Sequence, residues 1–262
     1  MTLNDNRLTP TNFAGLKVDR PQTEGIDRIN LLLYGEAGVG KTWLAGSASA
    51  VPTMRKVLYL DAEGGAVTLR EWPDVEMLRC TQWDDYTRVY HALKAGGHDY
   101  QTVVLDSLSE INEQNRERVM QEMKLDPENE GRDEDVPSLR EWGKMQVRLL
   151  RLIRNYRDLP MNVIFIAHAE RVKLNTGKQK WMPLLNGKTQ MKVPQIPDLV
   201  FFMYNQEVEG EQRRLLLTAQ TDNAAAKVRG VRMPAVLGAE ETVTMKTILD
   251  YYTKNKTQEN NK

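Results

Sequence analysis

Cysteine and histidine are nearly absent from this 262-residue chain, which has one Cys (Cys80) and three scattered His (His91, His98 and His168). A single cysteine excludes an intramolecular disulfide framework and any cysteine-only metal site. The scattered histidines give no zinc-ligand spacing. Net charge is missing too, because 36 basic residues balance 36 acidic ones. Strong overall attraction to nucleic acid is thereby excluded, and any such binding must come from a local patch. No apolar run approaches the ~20 residues needed to cross a bilayer. The opening MTLNDNRLTPTNF lacks the basic-then-apolar order of a secretory signal. The sequence reads as a soluble, cytoplasmic protein.

What remains is an ordinary globular composition, 40% hydrophobic and 27% charged, on a chain long enough for one sizeable core. Residues 1–27 are polar, carry Pro10 and Pro21, and read as an N-terminal arm. From there strand and helix patterns alternate. RINLLLY (Arg28–Tyr34), KVLYL (Lys56–Leu60), TVVLD (Thr102–Asp106) and NVIFIAH (Asn162–His168) are short apolar runs, as expected of strands buried on both faces. VEMLRC (Val75–Cys80) is a further candidate strand. WDDYTRVYHALKAGG is a helix, with Asp84 or Asp85 as N-cap and Gly96–Gly97 as its stop. Leu139, Trp142, Met145, Leu149, Ile153 and Tyr156 recur at three- and four-residue intervals and predict an amphipathic helix. The acidic stretch between them, Leu125–Pro137, reads as a solvated loop. LVFFMYN and RLLLTAQ suggest neighbouring antiparallel strands, ETVTMKTILDYY a closing helix, and residues 254–262 a disordered polar tail. The pattern is one α/β domain, residues 28–253, with a mostly parallel sheet flanked by helices and a hairpin-rich C-terminal part.

Gly35, Glu36, Ala37, Gly38, Val39, Gly40, Lys41 and Thr42 fit G-x-x-x-x-G-K-[ST] between a buried strand and a helix. Glycines let the backbone wrap a phosphate chain with its N–H groups pointing inward. Lys41 can reach the β- and γ-phosphates and the Thr42 hydroxyl can ligate Mg²⁺; Trp43 continues the binding segment. ATP with Mg²⁺ is the expected ligand. A second metal-holding group must come from a neighbouring strand end. Asp106 closes TVVLD at the sheet edge where ligands of open α/β sheets bind. Ser107 beside it could serve the metal's water shell or cap the next helix. Hydrolysis needs a base to orient water, and Glu63 and Asp61, both in LDAEGG, are candidates that spacing alone does not separate.

GEAGVGKT, LYLDAEGG, VVLDS and IFIAHAE together resemble the ATPase core of the RecA-like recombinases. They are closer still to the compact phage-encoded P-loop proteins of that superfamily, some of which act in single-strand annealing and recombination. The resemblance spans roughly residues 30–238. It implies that Glu63 rather than Asp61 activates water. It also implies that the residue ending the IFI strand senses the γ-phosphate; that residue is His168 here, where the family usually has glutamine. In RecA-like recombinases the following loop contacts single-stranded DNA. Here residues 170–192 carry Arg171, Lys173, Lys178, Lys180, Lys188 and Lys192 against Glu170 alone, and Trp181 could stack on a base. Lys227 and Arg229 resemble the Lys-x-Arg element that reaches the nucleotide of an adjacent subunit in RecA-core helicases, which implies a homo-oligomer, ring or filament. The resemblance thus implies a Mg-dependent ATPase that binds single-stranded DNA and promotes annealing in phage recombination, in the host cytoplasm. A helicase-loading ATPase and an ATP-switched binding protein with negligible turnover are the alternatives.

Overall fold

A computed structural model of the chain describes residues 12–13, 16–17, 28–133, 135–174, 177–208 and 210–259. Most of the expected N-terminal arm lies outside these residues, apart from a short antiparallel pair, β1 (Asn12–Phe13) and β2 (Leu16–Lys17). β3 (Asn30–Gly35) leads through the glycine loop into α1 (Lys41–Gly46). There follow β4 (Val57–Asp61), β5 (Val75–Arg79), α2 (Trp83–Ala95), β6 (Thr102–Asp106), α3 (Leu108–Lys124), α4 (Leu139–Arg157) and β7 (Asn162–Lys173). The rest comprises β8 (Gln179–Pro183), the single turn α5 (Thr189–Lys192), β9 (Leu199–Val208) and β10 (Glu211–Leu217). Two short strands, β11 (Lys227–Val228) and β12 (Val236–Leu237), precede α6 (Met245–Glu259).

The main sheet runs β12-β10-β9-β3-β7-β6-β4-β5. Neighbours are parallel from β9 across to β5, and β10 and β12 extend the β9 side antiparallel. β7 separates the loop strand β3 from β6, so the chain skips outward after α1 and fills the gap later. Such a switch point opens a crevice at the strands' C-terminal ends. This is the expected α/β architecture, a mostly parallel sheet flanked by helices with a hairpin-rich C-terminal part.

Strand alternation explains how both faces are covered. Leu32, Leu58, Val103, Phe165 and Phe202 face α2, α3 and α4, packing on Tyr86, Ile111, Leu149, Ile153 and Tyr156. Leu31, Leu33, Tyr59, Val104, Ile166 and Phe201 face the other way, onto Leu44 of α1 and Ile248 and Tyr252 of α6. Cys80 is buried in the first layer, and burial pushes its thiol up to about 12, so it behaves as a small apolar group.

Three local expectations need correction. Gln82, not Asp84 or Asp85, is the N-cap of α2; Asp85 instead accepts from the backbone N–H groups of Thr81 and Gln82 at 2.9 and 3.0 Å. Leu139 and Trp142 are 90% and 39% exposed: in the first turn of α4 the buried residue is Glu141, bonded to Arg132 and Ser138, and apolar packing starts at Met145, against Val119, Met120 and Met123 of α3. Third, α6 continues to Glu259, six residues into the segment expected to be a disordered tail.

Candidate functional site

The site gathers at the C-terminal ends of β3, β4, β6 and β7, with Lys41 and Thr42 supplied by the first turn of α1. Gly35 ends β3, where a Cβ would run into the carbonyl oxygen of Met203 on β9, so only glycine fits. Gly38 and Gly40 hold φ of 75° and 100°, a left-handed backbone that β-carbons disfavour. Between Gly35 and Gly40 the loop exposes Glu36, Ala37 and Gly38 and buries Val39. The Lys41 side chain is 6% exposed and folds back over the loop, its Nζ donating to the carbonyls of Gly35 (2.9 Å) and Glu36 (2.8 Å). Burial lowers the Lys41 pKa, and the nearby Asp106 and Glu63 charges oppose that shift. Trp43 turns aside: its indole N–H donates to Glu71 at 2.7 Å and its ring lies 5.4 Å from Trp72.

Thr42 Oγ1 donates to Asp106 Oδ2 at 2.8 Å, joining the glycine loop to the end of β6. Tyr59 of β4 donates its hydroxyl to the same oxygen, a contact not anticipated from the sequence. Burial raises the Asp106 pKa, while its bonds from Tyr59 and Thr42 lower it. A half-buried carboxylate beside a hydroxyl, in a site that disfavours its charge, is a hard-oxygen set suited to Mg²⁺. These residues fit the ion that the motif implies.

Asp61 and Glu63, which the sequence leaves level, differ sharply in placement. Asp61 is buried, with Oδ1 accepting from the N–H groups of Glu63 (3.2 Å) and Gly64 (2.8 Å) and Oδ2 paired to Arg79 at 3.1 Å. Its oxygens are consumed in shaping the turn. Glu63 Oε1 instead receives Ser107 Oγ and lies 2.8 Å from His168 Nε2. The His168 bond is the chief cause that lowers the Glu63 pKa; burial opposes it, and Ser107 and Lys41 add to the lowering. Ser107 also caps α3, accepting from the Glu110 N–H at 3.3 Å.

His168 lies on β7 at the register of Gly35. Its backbone N–H donates to Ser109 Oγ (3.1 Å), Ser109 donates to the Leu184 carbonyl (3.0 Å), and the Leu184 N–H returns to the His168 carbonyl (2.8 Å). Beyond it β7 and β8 form a hairpin. Register puts Arg171 and Lys173 on one face of this hairpin and Lys180 on the other, so the cations do not make one continuous patch. Lys178 pairs with Asp222 at 2.7 Å, a charge that a count over residues 170–192 misses. Trp181 is no free stacking platform: its ring stacks on Phe202 at 5.6 Å, and the Arg171 guanidinium covers it at 4.7 Å. Lys188 is exposed ahead of α5.

Lys227 and Arg229 stand apart from the site. Lys227 pairs with Val200, which pairs with Leu32, three residues before Gly35. That places β11 roughly 10 Å below the rim at ~3.3 Å per residue. Lys227 Nζ donates to the Gln195 carbonyl at 3.2 Å, and Arg229 pairs with Asp198 at 2.9 Å.

A glycine loop, a Thr–Asp pair and a carboxylate on one sheet rim define a P-loop ATPase. The model of the AAA_24 family, an AAA domain, matches residues 27–230, and the chain belongs to that family. Among solved structures it is similar to a KaiC-like protein from the hyperthermophilic archaeon Pyrococcus horikoshii OT3. Identity is 18%, covering 79% of this chain and 82% of that one, with a TM-score of 0.44. Comparison with curated proteins gives no match. No helix among the described residues is long and apolar enough to cross a membrane.

Proposed function

We propose that this chain is a Mg-dependent ATP hydrolase that binds single-stranded DNA and promotes annealing during phage recombination. The observation that carries the hydrolase reading is the convergence of Lys41, the Thr42–Asp106 pair and the His168–Glu63 pair on one rim. Lys41 exchanges the Gly35 and Glu36 carbonyls for phosphate oxygens. Thr42 and Asp106 would hold Mg²⁺, which would supply charge neutralisation on the phosphates. Glu63 is the base: Ser107 and His168 both engage Oε1, fixing the carboxylate and leaving Oε2 to take a proton from water. His168 reports the γ-phosphate through that same bond. Asp61 is a positioning residue for the Glu63 turn.

The DNA part of the reading is supported by exposed Arg171, Lys173, Lys178 and Lys188, on or just after the hairpin that continues the His168 strand. Lys227 and Arg229, remote from their own loop, act on the nucleotide of an adjacent subunit in a homo-oligomer. ATP turnover measured against single-stranded DNA concentration tests the whole: stimulation, together with strand annealing and no duplex unwinding, is expected. Turnover indifferent to DNA would leave a hydrolase without this partner.

A further inference from the structure

We propose that Arg214, with the groove beside it, holds the nucleoside end of the nucleotide bound at the glycine loop. This rests on the nucleotide reading above. Arg214 lies on β10 opposite Asn205, two residues beyond the level at which Met203 meets Gly35, so it projects past the rim where the loop sits. Its guanidinium packs on Gly40: a Cβ at that glycine would be 3.1 Å from both Cζ and Nη1. The side chain of its neighbour Arg213 is tied to the Ala239 carbonyl, whereas the Arg214 guanidinium has no ion pair or hydrogen bond among the described residues. A guanidinium held against a phosphate-binding loop without a carboxylate is available to a ligand.

Direction follows from strand order. Asp106, Glu63 and His168 come from β6, the turn after β4, and β7, all on one side of β3; Arg214 comes from the opposite side, across β9. A triphosphate with its γ-phosphate toward Glu63 must send its nucleoside the other way, past Gly40. There the groove opens, about 480 Å³ in volume, lined by Arg213, Arg214, Gly238, Glu240, Glu241 and Thr242. Its size falls within the ~300–1,000 Å³ of small-molecule sites. Its lining combines two kinds of group. The Arg214 guanidinium, which touches the loop at Gly40, is able to stack on a base or bond a sugar oxygen. The carboxylates of Glu240 and Glu241 can accept from ribose hydroxyls or an exocyclic amine.

Calorimetric titration with ATP, and separately with inorganic tripolyphosphate, tests this on the full chain. Wild type should prefer ATP. Arg214→Ala should weaken ATP about ten-fold while changing tripolyphosphate less than about two-fold. Glu240→Gln combined with Glu241→Gln should lower the same preference. Unchanged melting would establish that the variants fold. If Arg214→Ala weakened both ligands equally, Arg214 would be a phosphate contact and the assignment wrong; no loss for either would also overturn it. Lys41→Ala separates the two levels of the reading, since it should lose both ligands. Retention of both by that variant would instead bring down the nucleotide site itself.

Discussion

His168 Nε2 stands 2.8 Å from Oε1 of Glu63, joining residues 105 positions apart at the rim of the sheet. This bond is the leading cause of the lowered Glu63 pKa, so it keeps the carboxylate ionised into more acidic solution. Glu63→Gln should bind ATP while hydrolysis falls about 10²–10⁴-fold. His168→Ala should let the Glu63 pKa rise toward its ordinary value, with Lys41 and Ser107 still acting on it. The acidic limb of the pH–rate profile should then move to higher pH. An unmoved limb would separate His168 from the base.

The Thr42–Asp106 contact predicts a metal-specific loss. Asp106→Asn keeps the size and the bond from Thr42 but removes charge, so Mg²⁺ should cease to strengthen ATP binding and turnover should disappear. Lys41→Ala should abolish binding outright. Wild-type turnover by Lys41→Ala would remove the loop from the chemistry.

On the hairpin, the ring contacts of Trp181 change what its removal should do. Because the ring stacks on Phe202, Trp181→Ala should cost roughly 1–3 kcal/mol of stability, visible in a denaturant midpoint. Charge reversal at Lys173 and Lys188 should weaken single-stranded DNA binding and flatten its salt dependence, since each lost phosphate contact releases fewer counterions. Equal affinities at all salt concentrations would return the hairpin to a solvated role.

Placement of Arg229 far below its own loop predicts complementation. Arg229→Ala should bind ATP yet turn it over poorly. Mixing it with inactive Glu63→Gln should restore some activity, because mixed interfaces pair an intact Glu63 with an intact Arg229. No recovery despite proven subunit exchange would confine the site to one subunit.

Glu141 predicts a pH effect on stability alone. Arg132 donates to it at 2.7 Å and the Ser138 N–H at 2.8 Å, and the Arg132 bond leads in holding its carboxyl near about 2. A depressed carboxyl contributes stability above its unfolded pKa, lost as pH falls through the folded value. Glu141→Gln should therefore lower the melting temperature at neutral pH and flatten its decline between about pH 4.5 and 2. Parallel melting curves for the two proteins across that range would contradict this.

Much of the site was legible because its signals are local. The glycine loop needs a fixed spacing, and Asp106 announces itself as a charge ending an apolar run. Tyr59 was hidden by resembling one more buried aromatic in VLYL, and Arg214 by lying on a strand whose register only the fold supplies. Helix α3 has a weak apolar stripe because it buries Asn112, Gln114 and Asn115, with Asn115 donating to the Met145 carbonyl at 2.8 Å. The exposure of Leu139 and Trp142 was unreadable for a different reason. Periodicity gives the direction in which a helix faces but not which residues of a turn its neighbours cover, and in the first turn of α4 Glu141 is the one covered.

Ser109 sits between the rim and the hairpin as a rivet, since its one hydroxyl binds the His168 N–H and the Leu184 carbonyl. Hydrogen bonds weaken quickly as they stretch past about 3.5 Å. At 3.1 and 3.0 Å, with the Leu184 N–H returning at 2.8 Å, these have only a few tenths of an ångström of slack. Any larger travel of the His168 backbone must either shear this joint or drag β8 along with it. The hairpin is therefore geared to the strand end beneath it rather than hung from it as a loose flap.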